Sequence, residues 1–281
     1  MRIPLLLLCS ILTCFASPFG KVTFEESPKV INVSSYDPKA KDRSGSSYSP
    51  LNQAGLKQNG SLGQIARIGK GMVNDTKCAD FLLGAERQGM MLGAYYFVRP
   101  TSSIKGQAQH FVKRLREIKK SRGLETEKIL LVGDIDTRCN AEHIIAFIDE
   151  IEKLTDTTPV IYLENSKELI ARLSSSPKAQ REQIARAPYW LALYSDYNKE
   201  QPHIKTPADL TKAYKIWDTW AMWQYGGVLW EKGKSTPKHY SRDDWKTPAY
   251  FGTLDRPCER NGFNGSEKEL RQFWAKHSYK W

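Results

Sequence analysis

The sequence lacks most of the features that mark membrane-spanning, nucleotide-binding and serine-nucleophile proteins. Its 281 residues contain no apolar run of about 18 residues or more, so we expect no membrane-spanning helix. No glycine-rich phosphate loop follows any predicted strand, which disfavours a nucleotide-binding fold. The Gly-x-Ser-x-Gly pattern of a serine nucleophile is absent, and the five histidines are scattered. No repeat of 20 to 50 residues is present, so a solenoid is excluded.

The N-terminus is typical of a secretory signal peptide. Arg2 precedes an apolar run over residues 3–15, and small residues follow. We therefore predict a signal peptide over residues 1–20 and a secreted or periplasmic protein. Lipidation at Cys14 is a lesser alternative, because Ile-Leu-Thr precedes this cysteine instead of a small residue.

Few cysteines remain after the predicted signal peptide. Cys78, Cys139 and Cys258 are widely separated, which matches neither a metal-ligand pair nor a disulfide framework. One disulfide and one free thiol are possible in an oxidising compartment, and the sequence leaves the pairing open.

Acidic residues are in deficit. The chain has 42 Lys and Arg against 31 Asp and Glu, a net charge of +11, and its pI is about 9.3. Such a surface attracts polyanions, whether nucleic acid, acidic lipid or an anionic cell-wall polymer. A basic helix is predicted at 103–120, but no nucleic-acid-binding motif accompanies it, so we do not expect a nucleic-acid partner.

The chain alternates predicted strands and helices after a polar segment, residues 37–61, which we interpret as a long loop. Predicted strands cover 64–70, 92–98, 128–136, 159–163, 189–194 and 221–226. Predicted helices cover 76–89, 103–120, 141–154 and 166–173. This order is typical of βα units and a parallel sheet, and six strands in one domain favour an α/β fold of the (β/α) TIM-like barrel type over residues 21–281.

Two aspartates stand at the carboxyl end of the strand 128–136. Catalytic side chains of α/β barrels come from this end, and residues two apart in a strand point the same way, so Asp134 and Asp136 are expected to face one site. Crowding raises the pKa of one carboxyl and leaves one acid and one anion, as glycoside hydrolysis requires. The alternative is a pair of solvated or capping aspartates before the next helix, where Asn140 is the expected N-cap. His143 is expected to be a packing residue.

Aromatic side chains recur near the ends of the predicted strands. Rings with polar tips line sugar-binding pockets well, because sugars present apolar CH faces for stacking. Core packing is the alternative for each single ring. The aromatic residues concerned are Tyr95, Tyr96, Phe97, Tyr162, Tyr189, Trp190, Tyr194, Trp223 and Tyr225.

These pieces, in this order, resemble the glycoside hydrolase family 25 lysozymes, the Chalaropsis or cellosyl type of N-acetylmuramidase. The resemblance covers about residues 30–274 and implies an irregular single-domain (β/α) barrel. Its motifs are VINVSSYD (30–37), GAYYFVRP (93–100), GDID (133–136), PVIY (159–162), WLALY (190–194), WQY (223–225) and CERNGFNGS (258–266).

The chain departs from the family pattern at four motif positions. Asn32 replaces the first-strand Asp, Tyr96 the His of Tyr-His-Phe, Asp136 the Glu of Asp-x-Glu, and Glu259 the late Asp. The resemblance implies that the residue at 136 donates the proton and that Asp134 stabilises the charge developing on the sugar.

The resemblance implies a secreted lysozyme that cleaves β-1,4 bonds of peptidoglycan, without a metal or organic cofactor. The alternative is a degenerate barrel that binds cell-wall glycan without hydrolysing it. Asn32 and Glu259 would support the catalytic pair Asp134 and Asp136. The expected partner is peptidoglycan or a related glycan, and we expect a monomer. Residues expected to contact sugar are Tyr96, Tyr162, Trp190, Tyr194 and Gln224.

Overall fold

The computed structural model describes residues 20–23, 25–37, 51–194, 201–229, 238–241 and 259–281. Residues 1–19, which hold nearly all of the predicted signal peptide with Cys14, lie outside the described residues, as does Cys258. Among the residues described, no helix combines the length and the apolar composition that crossing a membrane requires.

The described part of the chain forms strands and helices in alternation. The strands are β1 (Lys29–Val33), β2 (Ser61–Lys70), β3 (Val73–Asn74), β4 (Met91–Val98), β5 (Lys128–Ile135), β6 (Val160–Leu163), β7 (Tyr189–Ala192), β8 (Met222–Leu229), β9 (Lys238–Ser241), β10 (Glu259–Phe263) and β11 (Ser278–Lys280). The helices are α1 (Gln53–Gln58), α2 (Cys78–Arg87), α3 (Ile104–Arg122), α4 (Ala141–Thr155), α5 (Lys167–Ser174), α6 (Lys178–Ala185), α7 (Pro207–Tyr214) and α8 (Glu267–His277).

Eight of these strands close into a barrel. Their order is β1-β10-β8-β7-β6-β5-β4-β2, and pairing of β1 with β2 completes the ring. Strand β10 is antiparallel to both of its neighbours, β1 and β8, and the other barrel pairs are parallel. The predicted α/β barrel is therefore confirmed, and the reversed strand is what makes it irregular.

The interpretation of residues 37–61 as a loop is wrong in its last part. Residues 53–58 form α1, Asn52 caps it by accepting from the amide of Gly55, and Leu56 is fully buried. Strand β2 already begins at Ser61. The segment has too few apolar residues for a helical period to be visible, yet one buried leucine anchors the helix. Residues 38–50 lie outside the described part.

Helix α8 closes the end of the barrel opposite to the carboxyl ends of the strands. Leu270 and Trp274 pack inside the barrel, and the Trp274 indole donates to the carbonyl of Leu92 at 2.8 Å. A Cβ at Gly63 would lie 3.1 Å from the Trp274 ring, and one at Gly93 would lie 3.2 Å from it. The two glycines therefore leave room for the indole.

Two of the three cysteines that follow the predicted signal peptide lie in the described part of the chain. Cys78 and Cys139 are both buried, and both are free thiols. Burial raises the pKa of each thiol to about 12, which keeps it protonated and unreactive at neutral pH.

Candidate active site

The barrel brings four of the predicted site residues to one end. Asn32 lies near the end of β1, Asp134 near the end of β5 and Gln224 within β8. Because β10 is antiparallel, its first residue, Glu259, pairs with Asn32 and lies where the parallel strands finish. Residues far apart in sequence thus line one site.

Asn32 is the centre of a network of amides. Its amide nitrogen donates to the Glu259 carboxyl, and its amide oxygen accepts at 2.9 Å from both Gln224 and Asn261. Asn261 in turn accepts from the indole of Trp190 at 3.0 Å. An aspartate at position 32 would place a second acceptor against Glu259, whereas the amide supplies a donor.

The aromatic residues of this end extend the same network. The Tyr162 hydroxyl donates to the Gln224 side-chain oxygen at 2.8 Å, and Tyr194 donates to the same oxygen. Tyr162 packs edge-on against Trp190, with ring centroids 5.1 Å apart. Trp190 and Gln224 are buried, while Tyr162 and Tyr194 keep partial exposure. The two tyrosines are thus the accessible members of this group.

Glu259 is a carboxyl that holds its proton more strongly than usual. Burial, reinforced by the negative charge of Asp37, raises its pKa to about 8, although the hydrogen bond from Asn32 and the charges of Arg67 and Arg260 oppose the change. Near neutral pH the group is therefore largely a neutral acid.

Asp134 has an oxygen without a hydrogen-bond partner among the described residues, and the charge of Arg67 offsets its burial only in part. Its Oδ1 atom is buried and has no hydrogen bond to any residue in the described part of the chain. Burial raises the pKa of Asp134 well above its ordinary value, and the charges of Glu164 and Glu259 add to the effect. The protonated form is therefore favoured.

Asp136 has the opposite environment. Its Oδ1 accepts from Arg138 Nε at 2.8 Å, and its Oδ2 accepts from Arg138 Nη2 at 2.6 Å. The Arg138 backbone amide adds a third bond at 3.0 Å, and Arg99 Nε lies 3.8 Å from Oδ2. The hydrogen bonds from Arg138 are the main reason that the pKa of Asp136 is lowered.

The two aspartates therefore differ in protonation, as expected, but in the reverse order in the free protein. The resemblance assigned the proton to Asp136, and the structure favours it on Asp134. The reason is the side chain of Arg138, two residues beyond Asp136, which the sequence analysis did not consider.

Tyr96 points away from the site, so the prediction that it contacts sugar is wrong. Its side chain has no exposed surface, packs against Phe111 with ring centroids 5.4 Å apart, and bonds to His110 at 2.6 Å. A Cβ at Gly69 would lie 2.7 Å from the Tyr96 ring, so the glycine makes room for it. The neighbouring Tyr95 belongs to the barrel interior.

Other aromatic residues near the strand ends are packing residues. Tyr189 stacks on Trp217 at 4.3 Å, and the Trp223 indole donates to the carbonyl of Leu193 at 2.9 Å. These residues point outward from the barrel because they alternate with the inward ones. His143 is also structural, since it completes the capping box of α4 with the expected N-cap, Asn140.

Arg67 is a site residue that the sequence analysis missed. Its guanidinium pairs with Asp75 at 3.0 Å, donates to Ser35 at 2.6 Å, and lies 5.1 Å from the centroid of the Tyr36 ring. The side chain of Tyr36 is exposed. Residues two apart in a strand face the same side, and Ile65 lies in the barrel interior. The alternation in QIARIGK could therefore have indicated that Arg67 also faces inward.

No cluster of three metal-ligating side chains occurs among the residues described. The site residues described above carry carboxyl, amide, guanidinium and aromatic side chains. Such groups can hold a sugar by hydrogen bonds and ring contacts and can exchange a proton with it.

Comparisons with known proteins give one consistent result. The chain resembles the muramidase from Trichobolus zukalii at 19% identity and a TM-score of 0.55, over 88% of this chain and 98% of that one. It resembles the bacterial lysozyme from Streptomyces coelicolor at 17% identity and a TM-score of 0.56, over 88% and 97%. A family 25 glycosyl hydrolase from Bacillus anthracis matches at 16% identity and a TM-score of 0.56, over 91% and 97%. At these identities each likeness concerns the fold.

Sequence comparison identifies the family directly. No curated protein sequence matches the chain. The model of the family described as glycosyl hydrolases family 25 matches residues 31–233, well over half of the chain. The matched region includes Asn32 on β1 and Asp134 on β5. The chain belongs to glycosyl hydrolase family 25.

Proposed function

We propose that this family 25 glycosidase is a muramidase, which hydrolyses the β-1,4 bond after N-acetylmuramic acid in peptidoglycan. The observation that carries the proposal is the pair Asp134 and Asp136 at the carboxyl end of β5, one carboxyl favouring its proton and the other favouring its charge. Glycoside hydrolysis needs these two states side by side. The muramidase and the lysozyme that share this fold support the choice of substrate.

The reaction we propose needs one proton on the pair of aspartates. With the proton on Asp136, its carboxyl O–H bond breaks and the proton passes to the glycosidic oxygen. The electron pair of the bond between that oxygen and sugar C1 goes to the leaving oxygen. The Asp134 carboxylate stabilises the positive charge at C1, directly or through the N-acetyl group of the substrate. Water then adds at C1 and returns a proton to Asp136.

The remaining residues of this end would position the sugar and the catalytic pair. Tyr162 and Tyr194 are the partly exposed rings, and their hydroxyls are oriented by Gln224. Asn32 and Glu259 lie at the floor of the site, joined by a hydrogen bond, and neither carries a charge when Glu259 is protonated. We propose that the two tyrosines contact the glycan and that the buried Trp190 supports them.

We further propose that the protein acts as a monomer, outside the cytoplasm, after removal of the predicted signal peptide over residues 1–20. The substrate is a wall polymer, which agrees with a secreted or periplasmic location. The net charge of +11 favours accumulation on an anionic wall.

The test is the incubation of purified mature protein with insoluble peptidoglycan. New reducing ends are counted, and the sugar at each new end is identified. Asp136→Asn and Asp134→Asn are run in parallel, with Asp149→Asn as the control, because Asp149 is an exposed surface residue of α4. We expect muramic acid at the new ends, a loss of about 10²-fold or more in both site variants, and unchanged activity in the control.

Two outcomes would contradict the proposal. Protein that pellets with the wall but releases no ends, in the parent and the variants alike, is a glycan-binding protein and not a hydrolase. New ends that carry N-acetylglucosamine would mean that the enzyme cleaves the other glycosidic bond of the polymer.

A further inference from the structure

Both oxygens of the Asp136 carboxyl are occupied by one neighbouring side chain. The Arg138 guanidinium binds the carboxylate in the bidentate manner that this fork favours. Only 8% of the Asp136 side chain is exposed, whereas 53% of the Arg138 side chain is exposed. Arg138 therefore covers the carboxyl from the solvent side and engages both of the oxygens that could carry the proton to a glycosidic oxygen.

The backbone that carries Arg138 is held in place, so only its side chain is free to move. The turn between β5 and α4 is closed by the bond from the Cys139 amide to the Asp136 carbonyl at 2.8 Å. Arg172 reaches across from α5 and donates to the carbonyls of Thr137 and Cys139 at 2.5 and 3.1 Å. Rotation of the Arg138 side chain would uncover Asp136 without unfolding the turn.

We propose that Arg138 is a specificity residue, which covers Asp136 in the free enzyme and turns to bind a carboxylate of the glycan, so that Asp136 becomes free to act. The inference rests on the proposed function, since it concerns the proton donor of that reaction. It makes an anionic substituent on the substrate a requirement for efficient cleavage.

The chemistry of the guanidinium selects the class of substituent. A planar fork binds a carboxylate with two parallel hydrogen bonds, and it gains nothing comparable from a neutral sugar hydroxyl. Because one carboxylate partner replaces another, the guanidinium keeps a bidentate ion pair throughout the exchange. In peptidoglycan such a carboxylate comes from the stem peptide, or from the lactyl group of a muramic acid that carries no peptide.

Arg99 and the acidic groups around Asp136 explain where the proton goes after the exchange. Arg99 Nε is buried, has no hydrogen bond to any described residue and remains 3.8 Å from Oδ2. The charged groups that face Asp136 are Arg138 and Arg99 on the cationic side, and Asp134 and Glu164 on the acidic side. Once Arg138 turns away, the side-chain hydrogen bonds that contribute most to the lowered pKa of Asp136 are lost, so the proton held by Asp134 is more stable on Asp136 than before.

The first experiment measures kcat/KM on three soluble substrates of equal length. Each substrate is tested with the parent enzyme, with Arg138→Gln and with a control variant. The substrates are peptidoglycan glycan strands with stem peptides, the same strands without peptides, and neutral chitooligosaccharides. Arg271→Gln is the control, because Arg271 is 54% exposed and forms a 2.6 Å ion pair with Glu267 on the outer face of α8. We expect the parent to prefer both carboxylate-bearing substrates over the neutral one.

Arg138→Gln should lose that preference. Its kcat/KM should fall about 10-fold on carboxylate-bearing strands and should not fall on chitooligosaccharides, while Arg271→Gln behaves as the parent on both. A loss confined to the strands with peptides identifies the stem peptide as the source. A loss confined to the strands without peptides identifies the lactyl carboxylate, which is free only where no peptide is attached, and a loss on both shows that Arg138 accepts either carboxylate. Equal loss on all three substrates would overturn the proposal.

The pH profile gives a second readout, which a merely structural role would not move. A general acid is active only while protonated, so kcat/KM falls as the pH rises through the pKa of the acid in the free enzyme. Arg138 lowers the pKa of Asp136, and its removal should raise that pKa. The alkaline limb of the profile on the neutral substrate should therefore move to higher pH in Arg138→Gln. An unmoved limb would count against the proposal.

A third measurement does not depend on turnover. The pKa of the Asp136 carboxyl is followed by carbon-13 NMR in the parent, with N-acetylmuramic acid or with neutral N-acetylglucosamine. We expect the acidic sugar to raise the pKa and the neutral one to leave it unchanged, and we expect no response in Arg138→Gln. If the acidic sugar raises the pKa of Asp136 but no substrate is hydrolysed, the proposed muramidase activity alone is refuted. If substrates are hydrolysed but the acidic sugar leaves the pKa unchanged, the role of Arg138 alone is refuted.

Discussion

At the scale of single residues, the site uses an amide where a carboxyl would create a conflict. Asn32 donates to Glu259 and accepts from Gln224 and Asn261, so every polar atom of its amide group is engaged. Glu259 is then the acidic member of the pair, and its proton is retained to about pH 8 by burial. Where the family pattern has an Asp at each position, this chain has Asn32 and Glu259. The pair therefore places a hydrogen-bond donor on Asn32 opposite an acceptor on Glu259.

The raised pKa of Glu259 predicts a specific dependence of folding stability on pH. Below its ordinary pKa of 4.5 the group is protonated in both the folded and the unfolded chain. As the pH rises to about 8, the unfolded chain releases this proton and the folded chain keeps it, so the free energy of unfolding falls. Glu259→Gln keeps an oxygen that accepts from Asn32 and removes this loss. We expect the variant to exceed the parent by about 1 kcal/mol or more at pH 8 and to equal it at pH 4.

Urea denaturation at the two pH values tests this prediction. Glu182→Gln is the control, because the Glu182 side chain is 65% exposed on α6. The control should show the same difference between the two pH values as the parent. If Glu259→Gln is no more stable than the parent at pH 8, the carboxyl is not retained in its neutral form.

The positions of the two carboxyls that we propose as catalytic follow from sequence, but their protonation does not. The strand parity of GDID places Asp134 inward, and the turn that follows holds Asp136 beside it. The bidentate contact from Arg138 depends on the shape of that turn, which neither strand periodicity nor composition describes. The same limit applies to Arg67, whose partner Asp75 lies beyond a short hairpin.

At the scale of elements, helix α8 acts as the plug of the barrel. Trp274 enters the interior between two glycines and donates to a strand carbonyl. Trp274→Ala should therefore lower the free energy of unfolding by about 3–5 kcal/mol, because it leaves a cavity in a closed interior. Trp274→Phe keeps a ring and loses the hydrogen bond, so its cost should be nearer to about 1 kcal/mol.

Chemical denaturation of the two variants separates packing from hydrogen bonding. Both should retain the far-ultraviolet circular dichroism of the parent below the transition. Equal costs for the alanine and phenylalanine variants would show that the ring volume does not matter and that α8 does not plug the barrel.

Elements with a strong apolar period were predictable, and short polar ones were not. Strands β2 and β4 to β8 and helices α2 to α5 match the predicted segments to within a few residues. Helices α1, α6, α7 and α8 were missed. Helix α1 has only six residues, and α6 has a single buried residue, Ile184, so neither shows a clear apolar period. Tyr95 and Tyr96 show that the facing of a side chain is harder to predict than the strand itself. Both lie in a predicted strand, and only the strand register decides which of them faces inward.

At the scale of the whole molecule, closure of the barrel is what assembles the site. The number of βα units indicated a barrel, but the position of β10 between β1 and β8 depends on pairings across nearly the whole chain. Parallel strands meet their neighbours with carboxyl ends aligned, and the single antiparallel strand brings its first residue there instead. Glu259 therefore joins the site only in the closed barrel.

The net charge gives the last prediction, which concerns the molecule as a polyelectrolyte. Helix α3 alone carries seven Lys and Arg residues and one Glu, so much of the excess of +11 lies on one outer face. Attraction to an anionic wall is screened as the Debye length falls from about 10 Å at 0.1 M salt to about 3 Å at 1 M. Pelleting with insoluble peptidoglycan should therefore weaken at least about 10-fold across this range, and neutral chitin should show no such change.

Lys113→Glu with Lys120→Glu should reduce wall binding at low salt and leave turnover of short soluble strands unaltered, because both lysines lie on the exposed outer face of α3. Wall binding that is indifferent to salt would mean that site contacts, and not the charge of the molecule, hold the protein on its substrate.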